Sequence, residues 1–110
     1  MKVADLATLP GLEPLQPDGE DAELTGAYTS DLLSDVMAHA PAGGVLITIQ
    51  AHTNTIAVAS LVGLRAVILC NRRPVPDDML AAARREHIRI YRTADHQFQA
   101  SILVHHSLTA

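Results

Sequence analysis

Four groups of side chains in this chain have the types and spacing to do chemistry. Ser30 and Asp31 follow one apolar run; Gln50, His52 and Asn54 follow a second; Asn71, Arg72 and Arg73 follow a third; Thr93, with Asp95 and His96, follows a fourth. Such groups are made for binding: an arginine fork holds a phosphate or carboxylate through two parallel hydrogen bonds. Helix N-termini opening beside them would add to the attraction for an anion. The candidate ligand-binding set is therefore Ser30, Asp31, Gln50, His52, Asn54, Asn71, Arg72, Arg73 and Thr93. The same residues have a plainer use. Ser, Thr, Asp and Asn after a strand cap the helix that follows, Gln50 can satisfy loop backbone, and two arginines in a loop can simply be solvated.

Reactive constellations are missing. The six histidines include no HxxxH or HExxH pattern, and one cysteine cannot build a thiolate site. His105 and His106 are adjacent, so on a helix they point about 100° apart and share an ion poorly. No serine has a GxSxG setting, and neither GxxxxGK[ST] nor GxGxxG occurs. A general-base role for His52 or His96 would need a deep, closed pocket around the imidazole. No catalytic residue, metal or cofactor is assigned.

The elements that must position these groups are legible. Val45–Ile49 and Ala66–Cys70 are β-branched apolar runs separated by a helix-length segment, which reads as a βαβ crossover. The intervening Ile56–Leu64 is apolar on almost every side, so it must pack within the domain or against a partner. Upstream, Val3–Leu9 reads as a short helix, and Leu12–Leu15 as a strand that Pro14 confines to a sheet edge. Pro17–Asp21 is a turn, and Leu24–Thr29 a short strand. Ser30 or Asp31 caps a helix with Leu32, Leu33, Val36, Met37 and Ala40 on one stripe. Pro41–Gly44 stops it. Pro76, Asp77 and Asp78 open a further helix that closes on Arg84, Arg85 and His87, an order that complements the helix dipole. Ile88–Tyr91 is the next strand. Thr93 or Asp95 caps a last helix whose inward face includes Phe98, Ile102 and His105. Strands alternating with helices predict one layered α/β/α domain over residues 1–110, with a mainly parallel sheet of four to five short strands. In such a sheet the four polar groups would meet beyond the carboxyl ends of the strands.

Bulk composition narrows the classes of function. Hydrophobic residues make up 48% and charged ones 18%, an aliphatic excess that suits a subunit with a buried interface. Net charge is −4 and aromatics are 3%, which excludes a phosphate-backbone footprint or a stacking platform for nucleic acid. No apolar run approaches the roughly 18 residues of a membrane span. Cys70 ends an apolar strand and reads as a buried, inert thiol. The expected setting is soluble and cytoplasmic.

The run Gly26–Asn54, GAYTSDLLSDVMAHAPAGGVLITIQAHTN, followed by AVASLVGLRAVILCNRRPVPDDML, resembles the DRTGG domain family over nearly the whole chain. It is most like the small stand-alone members found beside iron-only hydrogenase genes. The resemblance implies a fold similar to the N-terminal domain of HPr kinase and, more distantly, of Mur ligases. It implies a regulatory or scaffolding role, not a catalytic one, and a partner protein in a hydrogenase or related redox complex. Without a cysteine cluster, no iron–sulfur centre is expected in the chain itself. Two departures stand out. Where the family has an Asp-Arg pair, this chain reads Asp21-Ala22, with Thr25-Gly26 kept nearby. Where the family has a Thr-Gly-Gly turn, it reads Cys70-Asn71-Arg72. Glycines there would let backbone N–H groups close on an anion. Asn71 tolerates a left-handed conformation, but Arg72 does so poorly.

Taken together, these features predict a non-catalytic module that self-associates as a homodimer and binds a partner protein. The alternative is a sensor for a nucleotide or other small phosphate-containing ligand, held at the carboxyl edge of the sheet.

Overall fold

A computed structural model describes residues 1–110. Its centre is a pair of strands, β3 (Val45–Thr48) and β4 (Ala66–Leu69), in which every residue is buried. Strands buried on both faces lose the usual in–out alternation and read as continuous apolar runs. Each fully buried aliphatic side chain contributes roughly 1.5–3 kcal/mol. Around this pair the element order is β1 (Glu13–Gln16), β2 (Ala27–Thr29), α1 (Leu33–His39), β3, α2 (Thr53–Val62), β4, α3 (Asp77–Arg85), β5 (Arg89–Arg92) and α4 (Gln97–Thr109). A 3-10 helix, Val3–Thr8, precedes them.

The sheet order is β1-β5-β4-β3-β2. Strands β2 to β5 are parallel in neighbouring pairs, and β1 joins the far edge antiparallel to β5. Pro14 therefore sits on an edge strand, where its missing N–H is tolerated. Three successive crossovers step in one direction, and crossovers of one hand place all their helices on one face. Accordingly α1, α2 and α3 pack over Leu46, Val67, Leu69 and Ile90 through Val36, Ile56, Ala59, Met79 and Ala83. The opposite face, formed by Val45, Ile47, Ala66, Ile68 and Tyr91, is covered by α4 and the 3-10 helix through Ala100, Val104, Val3 and Leu6. The result is the layered α/β/α fold that the sequence predicts.

Several boundaries differ from the sequence reading. Helix α1 starts at Leu33 with Leu32 at its cap, and Ser30 Oγ accepts from the Leu32 N–H instead of capping the helix itself. Pro76 is the N-cap of α3, so Asp77 opens the helix. His96, not Thr93 or Asp95, caps α4. Helix α2 begins three residues early, at Thr53, and ends on Gly63, whose φ of +83° supplies the left-handed turn.

The inward face of α4 is a clear correction. Phe98 is 71% exposed and Ile102 42% exposed, while Ala100 and Val104 are buried. Ala100 lies two residues after Phe98, about 200° around the helix, so both cannot face the sheet. Small residues let α4 lie close over β2 and β3, and the large ones are left outside. His105 is exposed as well. No helix is long and apolar enough to cross a membrane.

Candidate functional site

The loops that follow β2, β3, β4 and β5 all leave the same edge of the sheet, because those strands are parallel. The predicted residues lie on this edge but separate into three places. Ser30, Asp31 and Gln50 form a structural knot. Asp31 Oδ1 accepts from the Thr48 hydroxyl, the Ile49 N–H and the Gln97 side-chain amide, each at 2.9 Å. The Asp31 carbonyl accepts from Gln50 Nε2 at 2.9 Å. One carboxylate thus ties the β2 loop to the β3 loop and to α4. With its oxygen occupied by protein donors, it repels an anion more than it binds one.

His52 and Asn54 stand at the start of α2. His52 Nδ1 accepts from the Asn54 N–H at 3.0 Å, so the imidazole is the N-cap. It is exposed, and no closed pocket surrounds it. His96 plays the same part for α4, accepting from the Gln99 N–H. These placements leave the general-base geometry unfulfilled at both imidazoles.

Asn71, Arg72 and Thr93 make the third place. The loop after β4 turns towards α3 on one face, while the loop after β5 turns towards α4 on the other. Near the strands the two loops stay joined, the Arg72 N–H donating to the Thr93 carbonyl. Beside this joined pair lies an open cleft of about 420 Å³, lined by Gly11, Leu12, Glu13, Arg72, Arg92, Thr93 and Ala94. That volume is within the usual range for small-ligand sites, about 300–1,000 Å³. The start of β1 closes the third side, since β1 runs antiparallel beside β5.

The cleft carries two cations and one anion. Arg92 is committed, with Nε and Nη2 donating to Glu13 Oε1 at 3.2 and 3.0 Å. Arg72 makes no ion pair. The lining is thus one positive charge in excess, carried by a guanidinium with free donors. Arg73 is exposed on the same turn but does not line the cleft. Sequence reasoning had singled out Arg72 and Thr93. It missed Gly11, Leu12, Glu13, Arg92 and Ala94, because their approach depends on how β1 pairs. The only available signal was Pro14, which marked β1 as an edge strand without naming its neighbour.

No family model matches the chain, and no curated protein matches it. Among solved structures, it is similar to the crystal structure of the CBS and DRTGG domains of the regulatory region of Clostridium perfringens pyrophosphatase, complexed with the activator diadenosine tetraphosphate. Identity is 14% and the TM-score 0.62, over 71% of this chain. The match takes in 34% of that chain, so this protein spans about a third of its length. The fold is DRTGG-like.

Within this DRTGG-like fold, the turn after β4 has a glycine-like backbone. Asn71 has φ +59° and Arg72 φ +47°, two left-handed residues in succession. The reason lies in the neighbouring loop: the Asn71 N–H donates to the Asp95 carbonyl at 2.9 Å, and the Arg72 N–H donates to the Thr93 carbonyl at 2.8 Å. Those N–H groups are used up by protein. The turn is therefore no backbone cradle for an anion; any grip comes from the Arg72 side chain. Just behind it, Cys70 is fully buried. Burial, and secondarily the Asp31 and Asp95 carboxylates, pushes its thiol up to about 11. No cluster of three His, Cys, Asp or Glu side chains that could hold a metal ion is formed.

Proposed function

We propose that this protein is a non-catalytic regulatory module that binds a small anionic ligand in the Arg72 cleft. One observation carries the reading. Arg72 holds a left-handed backbone that a non-glycine residue adopts only at a cost of roughly 1–2 kcal/mol, and it lines the cleft without an ion-pair partner. Strain retained at a cleft is a mark of function. The related regulatory region was crystallised with a dinucleoside polyphosphate activator, so phosphate-bearing ligands are the first to test. The imidazoles spent on helix capping and the protonated Cys70 thiol support a binding role over a catalytic one.

The test is calorimetry and thermal shift with inorganic phosphate, acetyl phosphate and mono- and dinucleoside polyphosphates. A ligand at 100 times its dissociation constant stabilises the fold by about 2.7 kcal/mol. Arg72→Ala should abolish that shift. Unchanged affinity in the variant, or no shift with any phosphate compound, would discard the assignment.

A scaffolding role is the second reading, favoured by the exposed side chains of Leu32, Met37, Leu61, Phe98 and Ile102. In it the chain forms a homodimer and binds a partner protein, which by the resemblance of its sequence would belong to a hydrogenase or related redox complex. Isolation of the native complex and identification of its components tests the partner.

A further inference from the structure

The cleft contains a second arginine that its own wall keeps engaged. Glu13 and Arg92 stand directly opposite one another in the β1–β5 pairing. Arg92 Nε and Nη2 both donate to a single glutamate oxygen, Oε1, at 3.2 and 3.0 Å. The pair is therefore not the two-oxygen fork in which an arginine grips a carboxylate or phosphate most firmly. The Glu13 side chain is 56% exposed and that of Arg92 27%. An ion pair so open to water is weakly held. Glu13 is also the first residue of an edge strand, with solvent to turn into.

Arg72 is brought alongside by its backbone. Its N–H donates to the carbonyl of Thr93, the residue after Arg92, at 2.8 Å. Arg72, Arg92 and Glu13 are the charged residues of the cleft wall. With Glu13 in place the wall carries one net positive charge, and with Glu13 turned out it carries two. Thr93, only 3% exposed, adds a neutral donor: its hydroxyl accepts from the Asp95 N–H at 3.1 Å, and its own proton meets no protein acceptor.

We propose that Glu13 is a built-in competitor for the ligand, displaced from Arg92 by a dianionic phosphate group that is then held between Arg72 and Arg92. The inference rests on the anion binding proposed above and adds the second cation, the residue that guards it and the charge of the ligand. A phosphate offers Arg92 two oxygens where Glu13 offers one, and keeps a further oxygen for Arg72. Its two negative charges match the two arginines that the exchange exposes. A monocarboxylate only substitutes one carboxylate for another, so the guard selects phosphate dianions against it.

Isothermal titration of the full chain at pH 8 with acetyl phosphate and with acetate, which share an acyl group, tests the proposal. The wild type should prefer acetyl phosphate. Glu13→Gln should tighten acetyl phosphate about fivefold, the worth of an exposed ion pair. Glu20→Gln removes the same charge from the Arg65 pair outside the cleft and should leave affinity unchanged. In an Arg92→Gln background, Glu13→Gln should tighten nothing, because its effect acts through Arg92. In wild-type NMR spectra the Glu13 carboxyl carbon and the Arg92 Nε–H should both shift as acetyl phosphate is added. That readout stands even where a variant fails to fold. No binding of acetyl phosphate to the wild type or to Glu13→Gln would sink anion binding in the cleft altogether. Binding that Arg72→Ala abolishes, but that Glu13→Gln leaves unchanged or tightens equally without Arg92, would overturn the competitor alone. Acetate bound as tightly as acetyl phosphate would do the same.

Discussion

Truncation of Asp31 is the sharpest test of how the sheet edge is held. Asp31→Ala removes an acceptor that receives the Thr48 hydroxyl, the Ile49 N–H and the Gln97 amide, all at 2.9 Å. Hydrogen bonds to charged groups are worth about 1.5–3 kcal/mol each. Gln97 is half-buried and can turn to water, whereas Thr48 is fully buried and the Ile49 N–H is fixed by the strand it follows. Two donors are left stranded, so the expected loss is about 3 kcal/mol. Asp31→Asn keeps one acceptor oxygen and should lose about half of that. Urea unfolding followed by circular dichroism reads the effect. With a slope near 1.5 kcal/mol/M, the midpoint of Asp31→Ala falls by about 2 M at unchanged slope. Phosphate affinity at the Arg72 cleft should stay as in the wild type, since Asp31 does not line it. A loss below about 1 kcal/mol would mean that water replaces the carboxylate, and the knot would no longer explain how three segments meet.

Other outcomes are expected from single sites. Arg72→Gly relieves the left-handed strain and should stabilise the fold by about 0.5–1 kcal/mol while losing the anion; a destabilised variant in urea titration would remove strain from the argument. The Cys70 thiol, pushed up to about 11 by burial and neighbouring carboxylates, should resist thiol reagents at pH 8 until denaturant opens the core. Labelling of the native protein at the unfolded rate would contradict that burial. Asp35 is held below its ordinary 3.8, chiefly by the Tyr28 hydroxyl; desolvation opposes this, and His39 and Ser30 add lesser downward contributions. A depressed carboxyl adds stability that is complete above pH 3.8 and is lost as pH falls through the folded value. Tyr28→Phe should therefore raise the Asp35 titration midpoint in carbon-detected NMR and flatten the acid limb of the stability profile. An unmoved midpoint would show that the 2.7 Å bond from Tyr28 to Asp35 has no energetic weight.

The layered architecture was legible because its signals are local. Val45–Thr48 and Ala66–Leu69 are β-branched runs that bury on both faces, and any fold of these segments must hide them. The acidic start and basic end of α3 are likewise written within a few residues of one another. Parallel strands then oblige their following loops to share an edge, so the grouping of Asp31, His52, Arg72 and Thr93 on one side was derivable from element order alone. The division of labour among them was not. Asp31 became a strut because Gln97, 66 residues away in the chain, arrives beside it on α4.

What the chain determined by itself, then, is which segments form strands and helices and which end of the sheet is polar, since periodicity and capping act over one or two turns. Tertiary structure decided the rest. The antiparallel seat of β1 beside β5 supplied Gly11–Glu13 as a wall and bound Arg92 to Glu13, leaving Arg72 as the cleft's unpaired cation. The close approach of α4 turned Ala100 inward and Phe98 outward. Both are consequences of long-range packing, where the free energy of a whole buried surface outweighs the preference of any one side chain.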